Sequence, residues 1–291
     1  LPHLPTLKEN EAEAYTFRPA TVADLPFLMQ VHAYHNRNSL LSCVRDDASW
    51  RYELAGRSKE NVHHSEVIII TDRDGQAVGF LRHPATVWHN LMVINGYELK
   101  AGVSYLAVTP AIFRYAIATG RDYAAEVNAK AKEGADPIEM QGCNFSLGED
   151  HPVYHAYGEH MPRIYTPYNW YLRVPDLPAF LSHIGPVLEQ RLADSWAAGH
   201  SGDLKMGFYG PGVKLSFEKG QLTGAQAYRQ EGNEDGDALF TGRTFLRLLF
   251  GYNSMAELDG MFADVFAASD TGRALLPALF PKQSSNIWPI A

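Results

Sequence analysis

The sequence is poor in several things, and each shortage closes off a class of protein. Only two cysteines occur in 291 residues, Cys43 and Cys143. Two thiols do not make a disulfide framework, so a small secreted scaffold is excluded and a reducing cytoplasm is the expected setting. No run of eighteen apolar residues is present, which predicts no membrane-spanning helix. No basic run exceeds two residues, and the formal net charge is −8. A negative field repels phosphate backbones and anionic lipid, so neither nucleic acid nor a membrane surface is an expected partner. The opening LPHLPTLKENEAEA lacks the basic start and apolar middle of a signal peptide. It also lacks an initiator methionine, from which we expect a processed chain or a piece of a longer one.

What is present fits a soluble globular protein: 46% hydrophobic and 20% charged residues, in a chain long enough for two domains or one large one. Residues 1–14 read as an arm or linker. YTFRPA reads as a strand, and TVADLPFLMQVHAYHNRN as a helix with Thr21 as N-cap and Asp24 completing a capping box. Leu25, Leu28, Met29 and His32 share one face of that helix. A second helix, RDDASWRYELAG, ends at Gly56. The β-branched run Val67–Thr71, the turn dipeptide Asp74-Gly75 and a return over Ala77–Arg82 predict a hairpin. NLMVINGYELKAGVSY predicts more strand, with a turn at Asn95-Gly96. A long helix is expected from Thr109, with Pro110 in its first turn. IEMQGCNFSLG reads as strand, Pro152–Tyr157 as a short helix and NWYLRV as a last strand.

The character changes near Val174–Asp176, where we place a boundary between domains 15–174 and 175–291. DLPAFLSHIGPVLEQRLADSWAAG reads as one amphipathic helix. Three alternating strands with glycine turns follow, then the acidic loop QEGNEDGD and three closing helical pieces.

The order strand, two helices, three strands, helix, strand, helix, strand resembles the GNAT superfamily of N-acetyltransferases. FRPATVADLPFLMQVH looks like its first strand and helix, and EVIIITDRDGQAVGFLRH like its second and third strands. SGDLKMGFYGPGVKLSFEKGQL and TFLRLLFGYNSMAELDG resemble the sterol-carrier-type domain that closes the multidomain Eis-like acetyltransferases. The resemblance implies an α+β fold: a GNAT-like mixed sheet with flanking helices, then a sterol-carrier-type α/β domain. It also implies that these are the second and third parts of a three-part enzyme. That enzyme would transfer an acetyl group from acetyl-CoA to an amine, on a small molecule or a peptide.

In that superfamily a glycine-rich loop at the start of the helix after the fourth strand cradles the cofactor's pyrophosphate. The matching stretch here, SYLAVTPAIFRYA, has no glycine, and Pro110 removes one donor. Val108, Thr109 and Ala111 are the candidate cofactor-binding residues, but the expectation is that an upstream domain holds acetyl-CoA. The resemblance also implies catalytic roles. Tyr154 matches a tyrosine that protonates the departing thiolate. The terminal carboxylate of Ala291 matches a general base, with a frayed tail as the alternative.

The stretch EMQGCNFSLGEDHPVYHAYGEH carries His151 and His155 at the i,i+4 spacing of a helical metal pair. No third ligand is fixed by spacing and Pro152 lies inside the pair. The expectation is no metal, with Val153, Tyr154 and Tyr157 packed inward and the histidines facing water. Ser104 and Ser146 lack the Gly-x-Ser-x-Gly elbow of a hydrolase. Two rival readings stay open. One is a non-catalytic binding or scaffold module, with Leu246, Leu248, Leu249 and Phe250 lining an apolar cavity. The other keeps activity within Tyr15–Val174. A homo-oligomer is an open expectation.

Overall fold

The β-branched run and the Asp74-Gly75 turn build the centre of the first sheet. β2 (Ser65–Thr71) and β3 (Ala77–Pro84) pair antiparallel, with Ile69 opposite Phe80. Gly75 supplies φ +74, and the Asp72 carboxylate accepts the amides of Asp74 and Gln76 at 3.0 and 2.9 Å. The computed structural model describes residues 6–161, 163, 171–229 and 236–287. The chain divides into two units, Leu1–Pro167 together with Ser285–Ala291, and Tyr168–Ser284. Each mixes helices with sheet, the α+β class expected from the sequence.

In the first unit, β1 (Thr16–Pro19) pairs with β2, and β5 (Gly96–Leu99) pairs with β3, giving the order β1-β2-β3-β5. The expected capping box at Thr21 and Asp24 is present and leads into α1 (Leu25–Asn36). α2 (Asp47–Arg51) is capped by Asp46 and runs on as a π-helical turn to Gly56. Strand alternation sends Val67, Ile69 and Phe80 to one face, where they pack on Leu25, Leu28, Val31 and Trp50. Ile68, Ile70, Leu81, Tyr97 and Leu99 point to the other face and meet Val108, Ile112 and Ala116 of α3 (Tyr105–Ala129). Burying each of these large side chains contributes roughly 1.5–3 kcal/mol. Both faces of the sheet are therefore covered, which explains the nearly continuous apolar run in β2.

Three expectations for this unit change. Asn95-Gly96 is not a turn: β4 (Leu91–Ile94) and β5 are consecutive segments interrupted only at Asn95. α3 starts at Tyr105, four residues before Thr109, because Ser104 takes the N-cap and accepts the Ala107 amide. Pro110 therefore lies inside the helix. Its missing N–H leaves the Leu106 carbonyl without its usual helical donor, and the Tyr157 hydroxyl donates to that carbonyl at 2.8 Å. β6 (Gly142–Phe145) and α4 (Pro152–Tyr157) lie where expected. The strand expected at NWYLRV, which falls in the second unit, is not found over Tyr171–Val174, and its first residues lie outside the described ones.

In the second unit the expected single helix is two, α5 (Leu177–His183) and α6 (Gly185–Ala193). Pro186 is the second residue of α6 and has no amide with which to continue α5. β7 (Gly202–Gly207), β8 (Pro211–Glu218) and β9 (Gln221–Arg229) form the expected meander. Two strands of two residues, β10 (Ala238–Leu239) and β11 (Phe266–Ala267), extend it to the order β11-β10-β7-β8-β9. α7 (Thr244–Leu249), α8 (Met255–Met261) and α9 (Asp270–Leu279) complete the unit. Leu181, Leu188, Leu204, Leu215, Phe240 and Leu276 belong to its core.

Candidate functional site

The first sheet changes partner at Asn95, and the polar groups of the unit gather there. Before Asn95, β4 pairs in parallel with β6, from Leu91 opposite Gly142 to Ile94 opposite Phe145. After Asn95, β5 pairs with β3 alone, from Gly96 opposite Arg82 to Leu99 opposite Gly79. A gap thus opens between β5 and the continuation of β6. On the other edge of β5, Gly79 of β3 is required, because a Cβ there would lie 2.5 Å from the Glu98 carbonyl oxygen.

Backbone groups of Tyr97 and Leu99 point away from β3 into that gap. His151 donates from Nε2 to the Tyr97 carbonyl at 2.6 Å. The Leu99 amide donates to the Tyr105 hydroxyl at 3.3 Å, and His35 Nε2 donates to the Leu99 carbonyl at 2.8 Å. His151 is buried, which corrects the expectation that it faces water, while His155 is exposed. The Val153 amide donates to His151 Nδ1 at 3.2 Å, so the ring is neutral with its proton on Nε2. Burial pushes His151 down to about 4, against the opposing pull of its bond to Tyr97.

The other side of β5 is charged. Glu98 is buried and lies 3.0 Å from His32 Nδ1, and His32 Nε2 donates to the Cys43 carbonyl at 3.1 Å. Close by, the buried Glu53 carboxylate serves three guanidiniums: Arg57 at 2.9 Å, Arg45 at 3.3 Å and Arg82 at 3.9 Å. Burial pushes Arg82 down to about 10, and Glu53 opposes that. Arg82 Nε also donates to Asn95 Oδ1 at 3.0 Å, so the cluster holds the residue at which the strand changes partner.

The predicted site residues fall apart in space and role. Val108, Thr109 and Ala111 are buried within the first two turns of α3, not ahead of it, and the Val108 amide is bonded to the Ser104 carbonyl at 3.1 Å. Thr109 Oγ1 and the Tyr97 hydroxyl share a buried hydrogen bond of 3.1 Å. Tyr154 is half-buried: its hydroxyl donates to the Phe145 carbonyl at 3.1 Å and accepts the Leu147 amide at 3.3 Å. Burial raises its pKa, against the pull of the Leu147 amide. Ala291 lies outside the described residues. Leading toward it, the Asn286 amide donates to the Leu41 carbonyl at 3.0 Å, and the Asn286 side chain packs on Gly148. Among the described residues no group of three or more metal-ligating side chains converges, and no helix is long and apolar enough to cross a membrane.

Sequence reasoning missed His35, Tyr105, Glu53 and Glu98. One signal was there to use: His32 falls on the apolar face of α1, where a histidine needs a buried partner.

Two features of the gap bear on coenzyme A. The stretch expected to cradle its diphosphate opens α3, where the Ala107 and Val108 amides are already bonded to Ser104. Its pantetheine arm is an extended chain with two secondary amides, and the strand edge that could pair with it is filled by side chains.

No family model and no curated protein matches the sequence. Among solved structures, the chain is similar to a conserved protein of Enterococcus faecalis V583 described as a probable N-acyltransferase. Identity is 13% and the TM-score 0.48, over 94% of this chain and 62% of that one. The chain thus spans less than two thirds of that protein's length. A possible acetyltransferase of Clostridium difficile 630 matches with 12% identity and TM-score 0.35, over 56% of this chain and 99% of its own. An aminoglycoside antibiotic 6′-N-acetyltransferase of Acinetobacter baumannii matches with 15% identity and TM-score 0.28, over 56% and 99%. At these scores the likeness carries no argument about function.

Proposed function

We propose that this chain is part of an acetyl-CoA-dependent N-acetyltransferase, that it shapes the cleft for an amine, and that an upstream domain holds the cofactor. The observation that carries this reading is the edge of β5 met by side chains, beside a helix whose Ala107 and Val108 amides are bonded to Ser104. The net charge of −8 favours a cationic amine by long-range attraction. The general base in this reading is the Ala291 carboxylate. Tyr154 is the weaker candidate for an acid, since two backbone bonds already hold its hydroxyl. A cytoplasmic setting and a homo-oligomer belong to the same reading. Calorimetric titration of the 291-residue chain with acetyl-CoA tests it. The expected result is no saturable heat up to about 1 mM ligand; a Kd well below that would sink the reading.

A second reading, a binding module, is favoured by one feature of the second unit. Leu177, Phe208, Phe245 and Leu246 line a cavity of about 270 Å³, with Arg173 and Arg243 also at its wall. Of the residues expected to line a cavity, Leu246 does so, whereas Leu248 and Leu249 are core. Apolar walls with guanidiniums suit a small carboxylic acid with a short alkyl tail. Decanoate should raise the Tm, and Arg243→Glu should abolish the rise. An unchanged Tm at millimolar decanoate counts against the module.

A further inference from the structure

We propose that His35, Tyr105 and His151 form a side-chain plug that closes the gap beside β5 against an extended, amide-bearing ligand of the pantetheine kind. The proposal rests on the reading that this chain does not hold the cofactor, and it names the residues responsible.

A strand edge inside a domain has an unpaired row of amides and carbonyls. It must be met by another strand, by water or by side chains. An extended chain carrying amides is the ligand such an edge accepts most readily, because it reproduces a strand. Here the row is met by one side chain from each of three elements: His35 of α1, Tyr105 at the start of α3 and His151 at the N-cap of α4. Their bonds to the Leu99 carbonyl, the Leu99 amide and the Tyr97 carbonyl follow the acceptor and donor order that an added strand would read.

The rings also hold one another. Tyr105 sits edge-on to Tyr97 at 4.9 Å, to His151 at 5.2 Å and to His35 at 6.3 Å between ring centres. Such contacts favour one joint arrangement over three independent rotamers. The tautomer of His151 is fixed by the Val153 amide, so its donor faces the strand. The three side chains thus occupy the Tyr97 carbonyl and both backbone groups of Leu99, which an inserted amide chain would need.

Two measurements test the plug. Amide hydrogen exchange by NMR reads the geometry directly. Tyr105→Phe removes the acceptor of the Leu99 amide, so exchange at Leu99 should rise at least tenfold. The Glu98 amide, which faces β3, should keep its protection and serves as the check on folding. Equal exchange at Leu99 in both proteins would overturn the plug. The second measurement is titration with free pantetheine. The wild-type chain should show no saturable binding, and the His35→Ala/Tyr105→Ala/His151→Ala variant should gain it. Where the triple variant loses protection at Glu98, the His35→Ala/Tyr105→Phe variant, which spares the buried His151, takes its place. A folded variant that binds no pantetheine overturns the plug and leaves the proposed function standing. Saturable binding of acetyl-CoA by the wild type overturns both.

Discussion

Between pH 7 and pH 4 the first unit loses about 3 kcal/mol of stability through one ring, that of His151. The ring titrates near 6.5 in an unfolded chain and near 4 in the fold, chiefly because burial penalises its charged form. Between those values the unfolded chain binds a proton that the fold excludes, so stability rises with pH across the window. The contribution is complete above 6.5 and is lost as the pH falls toward 4. Burial depresses His83 too, which adds loss of the same sign. Urea denaturation at pH 7, 6, 5 and 4 reads the slope. His151→Gln can keep a donor toward the Tyr97 carbonyl but cannot titrate here, so its slope should be shallower by about that amount. Equal slopes in the two proteins would mean that the ring already meets solvent.

Replacing Glu53 with alanine should cost about 3–5 kcal/mol, the usual penalty for removing one partner from a buried ion cluster. The carboxylate lies within 4 Å of Arg45, Arg57 and Arg82, and the side chains of Arg57 and Arg82 are only 9% and 4% exposed. The reverse change is milder. Arg82→Met leaves Glu53 its two other guanidiniums and adds apolar volume. The expected order of destabilisation is therefore Glu53→Ala first, then Arg82→Met. Arg82 also holds Asn95, so either change should loosen the point where the strand leaves β6 for β3. Urea denaturation at pH 7 checks the order, and a loss below about 1 kcal/mol for Glu53→Ala would show that water reaches the cluster.

Local chemistry made the frame readable. The Asp74-Gly75 hairpin, the capping box at Thr21 and the short helix from Pro152 each depend on residues within a few positions of one another. What escaped reading depends on distant partners. Asn95-Gly96 looks like a turn until β6 is known to pair with β4 and to stop at Phe145. Pro110 looks like a first-turn proline, and only Tyr157, far along the chain, makes it tolerable inside α3. His151 follows an acidic pair and precedes a proline, a polar context that gives no hint of burial. The break at Gly185-Pro186 was legible, since a proline one residue into a helix announces a start, yet the apolar spacing ran across it. β10 and β11 are too short to leave a period at all.

The described end of the chain returns to the first unit, where Asn286 lies along Leu41–Ser42 and against Gly148. The first unit is thus assembled from two separated stretches, and the second is spliced between them. A single proteolytic nick after the first stretch would leave the pieces associated, held by that returning segment. Releasing them takes a second nick, so limited digestion should pass through a cut but undissociated species.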